Sequence, residues 1–67
     1  MTWRYGASVR TLPTGESVFE VREFYFDGKS WTEDAITPSG DTQEELAAVL
    51  RMMLAYVQKF DAVDVDP

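Results

Sequence analysis

The chain has no cysteine and no histidine. Without cysteine, disulfides and thiolate metal sites are excluded. Without histidine, imidazole ligands and histidine acid–base catalysis are excluded as well. Glycines are few and isolated, at positions 6, 15, 28 and 40, so no glycine-rich loop is present to cradle a phosphate. Long apolar runs are also missing. The longest, Met52 to Val57, is six residues, and a transmembrane helix needs about 20. The start, Met1-Thr2-Trp3-Arg4-Tyr5, lacks the basic and apolar stretches of a signal peptide. A cytoplasmic location with no membrane partner is therefore expected.

What is present is aromatic and acidic. The 67 residues are 45% hydrophobic and include two Trp, three Tyr and four Phe. A domain of this size buries only about 60% of the surface its unfolded chain exposes. Large rings, each burying about 150–250 Å², are how a short chain gathers a core. The formal net charge is −6. Residues 1–26 balance Arg4, Arg10 and Arg22 against Glu16, Glu20 and Glu23, so the whole excess falls in residues 27–67. Such a chain is repelled by phosphate backbones, which disfavours direct nucleic-acid binding. The same field favours a basic protein partner.

Local patterns predict an α+β domain of order β-β-β-α. Trp3, Tyr5, Ala7 and Val9 alternate with Arg4, Ser8 and Arg10, the period of a half-buried strand. Pro13 and Gly15 mark a turn. A second strand over 17–26 has a broken pattern. Either Glu23 lies on the core side with Phe19 and Val21, or a β-bulge near Arg22–Glu23 switches the faces so that Phe24 and Phe26 are buried. Asp27-Gly28 is a strong hairpin signal, leading to a third strand over 30–36 that carries edge charges at Glu33 and Asp34.

Thr42-Gln43-Glu44-Glu45 fits a capping box, with Glu45 returning to the amide of Thr42. A helix over 42–60 follows, with an apolar stripe of Leu46, Val49, Leu50, Met53, Val57 and Phe60. The expected fold is a three-stranded antiparallel meander with this C-terminal helix on one face. Residues 1–60 form the single domain, and 61–67 form an acidic tail expected to be flexible. The alternation of Val63 and Val65 also permits a short strand.

Catalytic constellations are weak. The serines and threonines have no histidine base. Glu33 and Asp34 are adjacent, and Glu20 and Glu23 are three apart, so each pair is split between strand faces. Asp61, Asp64 and Asp66 lack the spacing, glycine and distal Glu of a calcium loop. No catalytic residue, metal or cofactor is expected, and the chain reads as a non-enzyme. Glu23 is expected to pair with Arg4 or Arg22 across the sheet.

Two candidate surfaces remain. Ala48, Met52 and Ala55, bordered by Tyr56, lie opposite the helix stripe and form a candidate homodimer interface. Glu33, Asp34, Asp41 and Glu44 form a candidate acidic surface for a partner.

Trp3-Arg4-Tyr5, the run from Phe19 to Gly28, Trp31-Thr32-Glu33 and the run from Pro38 to Leu46 resemble a group of short uncharacterised bacterial proteins. These share an initial Trp, a D-G turn, a W-T-E segment and a T-x-E-E-L helix start. Gly40-Asp41-Thr42-Gln43-Glu44-Glu45 and the strand order resemble, more distantly, the N-terminal domain of HicB-type antitoxins. That resemblance implies inhibition of a small basic RNA-cleaving toxin by direct contact. No DNA-binding domain stands within these residues, and Pro38-Ser39-Gly40 replaces that family's longer segment before the helix. The expected function is thus a small acidic protein-interaction domain, in its concrete form an antitoxin-like inhibitor. The alternatives are a phage or mobile-element inhibitor mimicking nucleic-acid charge, and a small-ligand module using an open sheet face near Trp3 and Tyr5.

Overall fold

The computed structural model describes residues 3–26 and 28–66. Strand β1 spans Trp3–Thr11, β2 Ser17–Tyr25, β3 Ser30–Trp31 and β4 Val63–Asp64, with helix α1 over Gln43–Lys59. The architecture is α+β, as expected. The sheet, however, has four strands in the order β3-β2-β1-β4. β4 joins β1 in parallel, with Ser8 opposite Val63 and Val9 opposite Asp64. The meander becomes a mixed sheet because Val63–Asp64, within the segment expected as a tail, pairs with β1. The amide of Val65 donates to the carbonyl of Val9 (3.1 Å), and Asp66 Oδ2 accepts from the amide of Thr11 (2.8 Å). Added at an edge, this segment satisfies backbone groups that β1 would otherwise leave unpaired.

β1 and β2 pair without interruption, from Trp3 opposite Tyr25 to Thr11 opposite Ser17. The expected alternative of a bulge near Arg22–Glu23 is therefore not taken. The other alternative also needs correction, because the core lies on the opposite face from Glu23. Gly6, Ser8, Arg22 and Phe24 are the fully buried residues of these strands, and all four share the even-numbered face. Phe24 is 1% exposed, a burial that contributes roughly 1.5–3 kcal/mol. The odd-numbered face, with Trp3, Tyr5, Phe19, Val21, Glu23 and Tyr25, has no fully buried residue.

Small side chains explain this inversion. Gly6 leaves space that the Arg4 guanidinium and the Phe24 ring occupy; a Cβ there would meet Arg4 Nη1 and two Phe24 ring carbons at 3.0 Å. Arg4 lies 5.0 Å from the Phe24 centroid and 4.0 Å from that of Phe60. Trp31 meets Phe24 edge-on at 6.1 Å, and Tyr56 stacks on Phe60 at 6.2 Å. A chain of rings and one guanidinium thus runs from β3 through β2 and β1 to the end of the helix.

The third strand is shorter than expected. β3 ends at Trp31, but the amides of Thr32 and Ile36 still donate to the carbonyls of Glu23 (3.0 Å) and Val21 (2.8 Å). In a regular ladder residue 34 would face Val21; two extra residues loop out, carrying Glu33 and Asp34 to the surface.

The helix forms as its cap predicts, with one change. Thr42 Oγ1 accepts from the amide of Glu45 (3.0 Å), but Glu45 Oε2 accepts from the amide of Asp41 (2.8 Å), not that of Thr42. Gly40 is required here, since a Cβ would lie 2.7 Å from the Leu46 amide nitrogen and 2.9 Å from Glu45 Cβ. The helix packs on β1, and this one strand covers a narrow arc. Met53 is buried, and Leu46, Val49, Tyr56, Val57 and Phe60 are half-buried. Leu50, expected in the stripe, is 46% exposed. Leu50 and Tyr56 sit about 60° to either side of Met53, and the stacking on Phe60 draws in Tyr56 rather than Leu50.

Phe26, which the bulge alternative buried, is 67% exposed in the loop between β2 and β3. Asp27, half of the hairpin signal, lies outside the described residues. Gly28 has the positive φ of that signal (84°), and Phe26 also has a positive φ (54°). A bulky side chain is costly in this region, whereas asparagine tolerates it. Phe26→Asn should raise stability by about 1 kcal/mol in urea unfolding; a lower urea midpoint would contradict the strain.

Candidate interaction surfaces

The even face of the sheet gathers charge in its interior. Arg22 is only 5% exposed. Its Nη1 donates to Ser8 Oγ and to Glu20 Oε1 (3.3 Å). Its Nε donates to the carbonyl of Thr32 (3.2 Å). Ser8 in turn donates from Oγ to the Glu20 carbonyl (3.2 Å). Glu20 Oε1 also accepts from Arg10 Nε (2.8 Å). Among the described residues no buried side-chain nitrogen or oxygen is left unbonded. Desolvating a cation costs several kcal/mol unless partners compensate, and here each partner comes from a different stretch of chain.

The hydrogen bond from Arg10 holds the Glu20 carboxyl below the usual carboxylate range, with Arg22 adding to the effect. The same contact pushes Arg10 up. This cluster is a structural clamp. Within it Ser8 and Arg22 are buried, while Glu20 and Arg10 reach the surface.

Glu23 is not paired to Arg4 or Arg22. Both arginines are committed on the other face, and Glu23 Oε1 accepts from the Tyr25 hydroxyl (2.6 Å). That bond and burial push the Tyr25 hydroxyl up from its ordinary value. Glu20 and Glu23 do separate between the two faces, as their spacing requires.

The predicted acidic residues Glu33, Asp34, Asp41 and Glu44 are all exposed. Glu33 and Asp34 sit in the bend after β3, and Asp41 and Glu44 flank the helix cap. Among the described residues Glu20 is the single acid in an ion pair. On the helix, Ala48, Met52 and Ala55 are exposed, whereas Tyr56 is half-buried against Phe60. No helix among the described residues is long and apolar enough to cross a membrane, and no three acidic side chains gather into a metal-ligand set.

The open sheet face named near Trp3 and Tyr5 is the odd-numbered face, and the structure adds Tyr25 and Glu23 to it. Trp3 and Tyr5 meet edge to face at 5.0 Å and 86°. Across the ladder Trp3 stands opposite Tyr25, and Tyr5 opposite Glu23. Phe19, further along β2, is 68% exposed. The available signal was the placement of Arg4, Arg10 and Arg22 on the other face, which leaves this one without a base.

No family model matches the chain, and no curated protein or solved structure matches it either.

Glu20 carries a pH dependence with a definite sign. Its folded-state carboxyl is lowered, so its stabilisation is present above the ordinary carboxylate range and is lost as pH falls through the lowered value. Urea midpoints measured at about pH 7 and about pH 3 should fall further for the wild type than for Glu20→Gln. Equal losses would contradict this role.

Proposed function

We propose that the protein is a non-enzymatic interaction domain that binds a basic protein through its acidic surface. The observation that carries this reading is how the fold sorts its charges. Arg22 is buried, Arg4 is held between Phe24 and Phe60, and Arg10 is tied to Glu20. Glu33, Asp34, Asp41 and Glu44 stay outside, in no ion pair among the described residues. The outward surface is therefore more acidic than the formal charge of −6 implies. Such a field steers a basic partner and speeds encounter.

Antitoxin-like inhibition of a basic enzyme, the function implied by the HicB-type resemblance, is the concrete form of this reading. We assign the exposed flank of Ala48, Met52 and Ala55 to contact with a second copy, since Met52 on this flank is an exposed large apolar side chain.

The test is a pulldown from lysate of the source cells with the tagged full chain. The partner should be retained at about 50 mM salt and largely lost at about 500 mM. Replacing four charges together, Glu33→Gln, Asp34→Asn, Asp41→Asn and Glu44→Gln, should weaken its capture. A strongest partner that stays bound at about 1 M salt and ignores the four substitutions would overturn the reading. Competition by free nucleic acid for the same partner would favour charge mimicry instead.

A further inference from the structure

The odd-numbered sheet face holds a block of four side chains with a definite chemistry. Trp3 and Tyr5 stand perpendicular, with centroids 5.0 Å apart. Tyr25 is directly opposite Trp3, and Glu23 directly opposite Tyr5. The Tyr25 hydroxyl donates to Glu23 Oε1 at 2.6 Å, which fixes the carboxylate beside the rings. Three aromatic faces and one anion thus share a two-by-two patch of sheet, none of it fully buried.

Ring faces attract cations through their quadrupole, and a fixed carboxylate adds charge. The strand positions of this face hold no base: Arg4, Arg10 and Arg22 all lie on the other side. A second copy packed face to face on this same surface would bring another Glu23 and no cation, burying two carboxylates against rings. The occupant that fits is therefore a cation from a different molecule.

The two faces of the sheet also differ in which cation they suit. Arg4 shows how this fold holds a planar guanidinium: its head lies near the rings of both Phe24 and Phe60. The Trp3 and Tyr5 rings instead meet edge to face, which leaves no parallel slot for a plate and suits a compact, rounded ammonium. We propose that Trp3, Tyr5, Tyr25 and Glu23 form a recognition site for a lysine ammonium presented by the basic partner. This rests on the reading of the domain as a binder of a basic protein, and it names the side chain that the partner inserts. The acidic residues at the bend after β3 and at the helix cap steer the partner, and this block takes the anchor.

The site is tested with one lysine at a time, so that steering by the acidic surface is not measured. The probe is Nα-acetyl-lysine amide, with Nα-acetyl-norleucine amide as the uncharged control of similar shape. The readout is the NMR shifts of the Trp3 indole and the Tyr5 and Tyr25 rings in the full chain. The lysine probe should give saturable shifts at these residues, with a Kd in the range of about 1–50 mM. The norleucine probe should give none that saturate. Glu23→Gln, which keeps the side-chain shape, should weaken the lysine response by about threefold to tenfold.

Equal shifts from both probes, no saturation by lysine up to about 100 mM, or an unchanged response in Glu23→Gln would each overturn the site. The two readings fail separately. If lysine does not bind but the salt-sensitive partner persists, this site falls alone. If lysine binds but no salt-sensitive partner exists, the site stands and the partner reading falls.

Discussion

A single buried guanidinium sets the terms for the rest of this fold. Arg22 is almost wholly removed from water and is satisfied from three places: Ser8 on β1, Glu20 on its own strand, and the Thr32 carbonyl just after β3. Removing any of these leaves part of a desolvated cation without a partner, which costs far more than an exposed bond does. The domain therefore cannot slip its strand register cheaply. A one-residue shift would pair Arg22 with Tyr5 or Ala7 and turn it away from Ser8, while Glu23 and Tyr25 would swing to the core side. An apolar core of this size would specify the pairing less sharply, because rings and methyl groups tolerate repacking.

The same arrangement governs what the surface presents. With Arg22 in the core, Arg10 drawn to Glu20 at the surface and Arg4 beside two phenylalanine rings, half of the chain's six bases are engaged within the domain. Among the described residues the acids after residue 30 form no ion pair and are exposed. Aromatic residues excluded from the core face are left on the opposite side of the sheet, together with Glu23. Core polarity, outward acidity and an aromatic open face are thus three consequences of one choice of face.

That choice was hard to read from the residues. Alternation in 3–11 predicted the strand correctly, and Thr42 with Glu45 predicted the helix start. Both signals are local and depend on neighbouring backbone. The direction of the core was misjudged because Trp3, Tyr5, Ala7 and Val9 are more apolar than Arg4, Gly6, Ser8 and Arg10. Apolarity decides a core face only when the polar alternative cannot satisfy itself, and here it can. Glu20 and Arg22 lie twelve and fourteen positions from Ser8 across the hairpin, so these bonds appear only once the register is known. The strand at Val63 depends in the same way on β1, some fifty residues distant. Of the residues named for candidate surfaces, the exposure of Glu33, Asp34, Asp41, Glu44, Ala48, Met52 and Ala55 was legible because it follows from charge or helix phase. Tyr56 was not, since its stacking on Phe60 depends on where Arg4 lies.

The dependence of the fold on Arg22 is tested most directly by a double-mutant cycle of Ser8→Ala and Arg22→Lys in urea unfolding. Lysine keeps the charge but lacks the fork that reaches serine, carboxylate and carbonyl together. The account predicts that Arg22→Lys alone removes about 2–4 kcal/mol and that the two changes couple by at least about 1 kcal/mol. A small loss for Arg22→Lys, with effects additive to within about 0.3 kcal/mol, would contradict the central place given to this side chain.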